Sequence, residues 1–372
     1  MIRPTPHYLS ALTALILAPL WCLAQVDRAA LSGTIRDSAG KRIPGAHIEV
    51  IQAATGLHRE TVSSPGGTYD IPELPIGLYR VTCTASGFQQ SVVDNLEQTV
   101  GHTRTLDFTL AVGEVTQQVN VFGRNSQLDE TTDTLGARTE HEQIKELPLN
   151  GRNWSTLTAL VPGAVDTGGS NQRSIRFAGR GLDDNNFTYD GIDATNIVNQ
   201  AQQSFVRLAI PADAIQEFRI DTMLFTAENG STPGGQIDVA SKSGSNELHG
   251  GLFEFVRNEI FDAREPILPT RLPFRLNQFG GSLGGRLIRD RSFFYLTYEG
   301  LRQSYGQPLS GFVPNPTFGA QVVAANPALA PIIAAYPKTG RTPYATDIDR
   351  FTGSGRQLDH EDSAMLRLDQ HL

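Results

Sequence analysis

The stretch SKSGSNELHGGLFEFVRN, residues 241–258, changes character halfway through. Its first half is small, polar and turn-like, and its second half sets Phe253 and Phe255 on one side of Glu254. Gly/Ser punctuation running into a short aromatic alternation marks a loop entering a β-strand. The fold turns on what that strand faces, because core-facing and lipid-facing strands both alternate with period two.

The same period recurs downstream. In NQFGGSLGGRLI, Phe279, Gly281, Leu283, Gly285 and Leu287 share one side, and Gln278, Gly280, Ser282, Gly284 and Arg286 share the other. In SFFYLTYEG, Phe294, Leu296 and Tyr298 oppose Tyr295, Thr297 and Glu299; in AMLRLDQ, Leu366 and Leu368 oppose Arg367 and Asp369. Segments of roughly ten residues with alternating polarity fit a wall with lipid on one face and a lumen on the other. On that reading Leu283 faces lipid and Ser282 the lumen. The first strand is less clean: with Phe253 and Phe255 toward lipid, Leu252 and Val256 accompany Glu254 toward the lumen. Connection lengths add weight. Arg289-Asp290-Arg291 makes a tight turn, whereas NEIFDAREPILPTRLPFR and a Pro-rich stretch of roughly fifty residues separate the other strands. Short turns at one end and long connections at the other are the outer-membrane arrangement. Prolines 308, 314, 316, 327, 331, 337 and 343 argue against regular structure in the last connection. Residues 246–372 are thus expected to supply about four strands. A closed membrane barrel needs at least about eight, so the chain is expected to be C-terminally truncated.

Composition sets the outer limits. The chain has 372 residues, room for two or three domains. Its 36 glycines and modest 39% hydrophobic content favour turn-rich β architecture over one large α/β core. A net charge of −8 gives no basic footprint, which excludes nucleic acid as a partner. Residues 1–24 read as a secretory signal peptide: Arg3, an apolar run from Tyr8 to Trp21 too short to span a bilayer, and Ala24 at a small-residue cleavage site. Bulky Trp21 and Pro19 fit the lipoprotein alternative at Cys22 poorly. Cleavage leaves Cys83 as the one cysteine, so no intramolecular disulfide forms.

Residues 29–112 read as a small β-sandwich. Ala46, Ile48 and Val50 share a face; Tyr79, Val81, Cys83 and Ala85 alternate with Arg80, Thr82 and Thr84; Leu106, Phe108 and Leu110 alternate with Thr105, Asp107 and Thr109. Turn signals such as DSAGK and SSPGG separate these half-buried strands. Cys83 is expected in the core as an inert thiol. SGTIRDSAGKRIPGAHIEVIQAATG and GGTYDIPELPIGLYRVTCTASGF resemble the carboxypeptidase regulatory-like domain, which implies a transthyretin-type sandwich without peptidase activity. A zinc peptidase helix needs a second histidine three residues beyond the glutamate, and His141-Glu142 and His360-Glu361 lack it.

Residues 113–245 are richer in loops and suggest a small mixed α/β domain. TEHEQIKELP reads as a short helix stopped by Pro148, Ser155–Leu160 as a helical turn, and Ala212–Phe218 as another short helix leading into the strand RIDTML. Asp183, Asp184, Asp190 and Asp193 do not make an EF-hand, since a loop starting at Asp184 has Tyr189 where glycine is required. Gly280-x-Ser282-x-Gly284 matches the nucleophile-elbow pattern but sits inside an alternating strand. No GK[ST] follows a Gly-rich loop, which excludes a P-loop.

LPLNGRNW, FTYDGID and the series AENGSTPGG, SKSGSNELHG, in this order, resemble the plug domain of TonB-dependent outer-membrane receptors, in the large Oar-like branch that carries the sandwich in front. The resemblance implies a mainly β protein in three parts: sandwich, mixed α/β plug, and the first strands of an outer-membrane barrel. It implies uptake of an extracellular ligand without covalent chemistry, a TonB-type energy-coupling protein in the periplasm as partner, outer-membrane lipid around the wall, and residence in the outer membrane. It assigns no catalytic, cofactor-binding or metal-ligating residue and leaves the ligand and its site unknown. VTQQVNVFG (115–123) is the nearest segment to the coupling box of that family, although it also reads as an ordinary linker strand. The alternative function is a cell-surface adhesion protein that uses the sandwich and outer loops.

Overall fold

A computed structural model describes residues 29–113, 118–122, 135–147, 149, 152–167, 175–181, 184–195, 210–225, 233–263 and 271–371. Contacts divide them into two compact units. One holds the sandwich and a second sheet as far as Lys242; the other holds the segment ending at Ala214 and residues 243–370. No helix among the described residues is long and apolar enough to cross a membrane.

The sandwich packs two sheets. In one, β1 (Ala29–Asp37) lies between β4 (Thr68–Leu74), antiparallel, and β7 (Thr103–Thr105) and β8 (Phe108–Leu110), both parallel. The other has the order β3 (His58–Val62), β2 (His47–Gln52), β5 (Gly77–Thr84), β6 (Gln90–Gln98), β9 (Gln118–Phe122). The alternation read from the sequence is the core: Ala46, Ile48, Val50, Tyr79, Val81, Cys83, Phe108 and Leu110 are buried together, with Leu106 packed against them. Gly33 has no room for a side chain, since a Cβ would lie 2.0 Å from the Leu106 carbonyl oxygen. β9 comes from the segment expected to be linker or coupling box, and its backbone pairs parallel with Gln90–Asp94 of β6.

The second sheet has the order β10 (Leu135–Glu140), β15 (Ile215–Met223), β16 (Gln236–Ser241), β13 (Asn186–Tyr189), β14 (Ile192–Asp193). A separate ribbon joins β11 (Ala164–Asp166) to β12 (Ile175–Phe177). The helix α1 (His141–Glu146) closes on Glu140 through a capping box with Gln143, and Trp154–Leu160 forms a 3-10 helix capped by Asn153. The helix expected over Ala212–Phe218 is a correction: only Ala212–Ala214 turn, as 3-10, and Ile215 onward is strand. Pairing with both β10 and β16 overrides the local helical pattern, and Ile215, Phe218 and Ile220 are buried between neighbours on either side.

In the second unit, one antiparallel sheet runs β17 (His249–Asn258), β18 (Phe274–Ile288), β19 (Ser292–Pro314), β21 (Ile348–Gln370), β20 (Arg341–Pro343). The Pro-rich connection expected to be irregular is largely regular. β19 continues through Pro308 to Pro314, α2 (Pro316–Ala325) and α3 (Ala330–Ala335) follow, and β21 returns beside β19 for its full 23 residues. The prolines sit where they cost little. Pro308 lies past the last pairing of β19 with β18, on a side with no strand partner among the described residues, where a missing N–H is tolerated. Pro316 and Pro331 occupy first-turn positions of their helices.

Candidate functional site

The long sheet of the second unit has two chemically different faces, and register defines them because residues directly opposite share a face. Leu283, Leu296 and Leu366 form one row; Gly285, Phe294 and Leu368 the next on one side; Gly281, Tyr298 and Ala364 the next on the other. Leu283, Leu287, Leu296, Tyr298, Leu366 and Leu368 are exposed, and Phe294 is half-buried. The opposite face carries Gln278, Thr297 and Tyr295, all buried. There Gln278 Nε2 donates to Glu299 Oε1 at 2.5 Å, and Tyr295 OH donates to the Asp213 carbonyl at 2.8 Å. A solvent-facing apolar stripe across three strands, backed by a polar face, is the pattern of a wall in hydrocarbon.

The apolar face ends in a girdle. Phe279 and Tyr298 rings lie 6.3 Å apart, and Arg302 stands 5.8 Å over the Phe279 ring. Tyr298 OH donates to Asp362 Oδ1 at 2.6 Å, and Arg302 Nη2 donates to the same oxygen at 2.7 Å. Aromatics topped by charge mark the level where hydrocarbon gives way to headgroups. From Leu287 to Phe279 is about 26 Å of strand, or roughly 20 Å along the membrane normal at a 40° tilt. That is close to the ~25 Å apolar band of outer-membrane barrels. β19 and β21, about 76 Å long at ~3.3 Å per residue, run far past it.

The expected facing of Ser282 and Leu283 agrees with this pattern, while that of β17 is reversed. Leu252 pairs with Gly281, Glu254 with Phe279 and Val256 with Asn277, so these three stand on the apolar face. Leu252 is 93% exposed. Phe253 and Phe255 pair with Gly280 and Gln278 and belong to the polar face. Phe253 lies over Gly280, where a Cβ would meet its ring at 2.7 Å. Glu254 causes no conflict, because it falls in the girdle row with Phe279, Gly300 and Asp362.

Past the girdle, the end of β19 and the two helices border an open cavity of about 470 Å³, lined by Val323, Ile333, Ala334 and Tyr336 with Lys338 and Arg341. Arg341 Nη1 donates to the Pro314 carbonyl at 3.0 Å, and its Nε is bound to the Pro337 carbonyl. No sequence signal pointed to this cavity, because the segment read as irregular.

In the first unit, Glu217 of β15 is a buried acid that reaches the sandwich. Its Oε1 accepts from the Val100 N–H at 2.5 Å and its Oε2 from Arg138 Nη1 at 3.4 Å. Arg138 also binds Glu97 Oε1 at 2.9 Å and Glu140 Oε1 at 2.6 Å. Burial pushes the Glu217 carboxyl above its ordinary value, against the pull of the Val100 N–H and Arg138. Asp238 is likewise raised by burial, while Thr188 Oγ1 donates to it at 2.5 Å. The loop acids are engaged in turns: Asp184 accepts from Gly181 N, Asp190 from Ser241 N and Oγ, and Asp193 from Thr195 N. Asp183 lies outside the described residues. His141 is placed between the Ile215 carbonyl at 3.0 Å and Lys242 Nζ at 2.8 Å. Ser282 lies mid-strand in β18.

Comparison with known proteins adds the family. Residues 30–111 match the carboxypeptidase regulatory-like domain, and residues 240–372 match the outer membrane beta barrel domain. The TonB-dependent transporter Oar of Myxococcus xanthus is 26% identical over 284 residues, which are 71% of this chain and 26% of that protein. The chain therefore spans about a quarter of the length of this curated relative. Among solved structures, the siderophore receptor PirA of Acinetobacter baumannii aligns at 21% identity over 48% of this chain and 29% of its own, with a TM-score of 0.35. A putative carbohydrate binding protein of Bacteroides uniformis aligns at 19% identity over 23% of this chain and 41% of its own, with a TM-score of 0.20. The chain thus carries a carboxypeptidase regulatory-like domain followed by residues of an outer membrane beta barrel domain, and over 71% of its residues it is similar to a TonB-dependent transporter.

Proposed function

We propose that the chain supplies the first part of a machine that takes up an extracellular ligand without altering it covalently. Residues 1–24 serve as a signal peptide, 29–112 as the sandwich, 113–245 as a plug, and 246–372 as the first wall strands. The observation that carries this reading is the two-faced sheet with its girdle, which suits hydrocarbon on one side and a polar interior on the other. The tight turn at Arg289–Arg291 then faces the periplasm. The long strands and the helical head with its cavity stand outside, where ligand arrives. A TonB-type coupling protein works from the periplasmic side. No group in the site calls for bond making, since the buried carboxylates hold backbone and arginine partners.

The test compares the solutes removed from medium by cells with and without the complete gene, with and without the coupling protein, and with a protonophore. Uptake is expected only when gene, coupling protein and ion gradient are all present. Cell attachment that depends on the gene but survives loss of the coupling protein, with no solute removed, would replace transport by adhesion.

A further inference from the structure

Above the girdle the lipid-facing side turns basic. Asn277, Arg302 and His360 share the first row, and Arg275, Ser304 and Leu358 the second; Arg356 faces the same way one row further on. Rows are spaced about 5 Å apart along the membrane normal at a 40° tilt. Three arginines thus converge on Ser304. Arg275 stands directly across from it, Arg302 is two residues along its own strand, and Arg356 Nε donates to its hydroxyl at 2.9 Å. Their commitments differ. Arg302 spends its guanidinium on Asp362 and on the Leu301 and Glu361 carbonyls. The Arg275 side chain has no hydrogen bond or ion pair among the described residues, and the Arg356 side chain uses only its Nε there. Asp362 offsets Arg302, so two cations without a carboxylate partner among the described residues remain beside an exposed His360.

We propose that Arg275, Arg356 and the Ser304 hydroxyl hold a phosphate group of the outer-leaflet glycolipid. The inference rests on the reading of this sheet as an outer-membrane wall with its long connections outside. It goes further by assigning a lipid site. Depth selects the ligand: the cluster faces lipid, not lumen, and begins one row above the aromatic girdle, where anionic headgroups lie. Chemistry selects the group, because a guanidinium fork matches phosphate oxygens with two parallel hydrogen bonds. Each basic residue near a charged headgroup layer is worth roughly a fivefold change in affinity.

The complete receptor, extracted from outer membrane and stripped of lipid, is titrated with diphosphoryl lipid A, dephosphorylated lipid A and inorganic phosphate, and bound lipid is counted by native mass spectrometry. Preference for the diphosphoryl lipid is expected. The double variant Arg275→Gln with Arg356→Gln should lose about 25-fold in affinity, and Arg286→Gln, on the other face, should lose none. Equal binding of both lipids, or an unchanged double variant, overturns the site. Full competition by millimolar inorganic phosphate overturns the lipid as its source. Heat-modifiable mobility of each sample separates the two levels. Wild-type protein that does not shift on heating overturns the wall itself, whereas protein that shifts but shows no phosphate preference overturns only the lipid site.

Discussion

An arginine scan along β17 and β18 tests the facing of the wall where register and sequence pattern disagree. Leu283 lies midway between Leu287 and the Phe279 girdle, at the centre of the apolar face, and Leu252 lies one row below Glu254 and the girdle. Arginine on a lipid-facing midplane site costs about 2–4 kcal/mol, falling to about 0–1 near the interface. Leu283→Arg should therefore lose about 2–4 kcal/mol, and Leu252→Arg, about 5 Å inside the girdle row, about 1–2 kcal/mol. Phe255→Arg should lose less than about 1 kcal/mol, because Phe255 shares the polar face with Arg257, a cation already accommodated there. The assay is heat-modifiable mobility of the assembled receptor, followed by urea unfolding in lipid vesicles. The loss of assembly should be greatest for Leu283→Arg, smaller for Leu252→Arg and least for Phe255→Arg. If Phe255→Arg fails while Leu252→Arg assembles normally, β17 faces the other way and the register argument is refuted.

Four further outcomes follow from the first unit and the head. Residues 29–122 made alone should fold, because every core residue of the sandwich comes from Ala29–Leu110; a disordered circular-dichroism spectrum would contradict it. In that domain burial lifts the Cys83 thiol to about 12, so alkylation at pH 8 should run at least about a thousandfold slower than in denaturant, and rapid labelling would place Cys83 outside the core. Burial raises the folded pKa of Glu217 above its unfolded value, so stability falls as pH climbs from about 4.3 through the folded value. Glu217→Gln keeps an acceptor for the Val100 N–H, and Arg138 keeps Glu97 and Glu140. The variant should flatten that slope and melt no lower than wild type at pH 7, and a clear drop there would show the ionised carboxylate to be a net stabiliser. In the head, Gly319→Leu should close the cavity against Ile333, whose Cγ2 a Cβ would meet at 3.1 Å, and abolish any ligand binding there; undiminished binding would move ligand capture elsewhere.

The sandwich was legible because each of its strands has one face in the core and one in water. Ile48, Val50, Val81 and Cys83 sit at alternate positions, and nothing else competes for them. The second sheet was harder for a physical reason. β15 is covered on both faces, so Ile215, Phe218, Ile220, Asp221 and Thr222 are all buried and no clean period remains to separate strand from helix. The long strands of the wall failed differently. Proline and glycine signal turns when the chain has only local choices, but Pro308 and Gly311 fall within a ladder that β21 supports along its whole length.

The facing of β17 shows where one-strand reading ends. Taken alone, Leu252-x-Glu254-x-Val256 looks like a poor lipid face and Phe253-x-Phe255 a good one. Only the ladder supplies depth: Glu254 is level with Phe279 and Asp362, where charge meets headgroups, and Leu252 is level with Tyr298 below them. The acid thus argues for the interface rather than against lipid. The arginines beyond it follow the same logic, since each is an ordinary polar residue on its own strand. Their convergence on Ser304 exists only across β18, β19 and β21. Features carried by one strand's period can be read from sequence. A girdle row or a headgroup site is distributed over several strands, one residue from each, and its positions are fixed only when pairing sets the register.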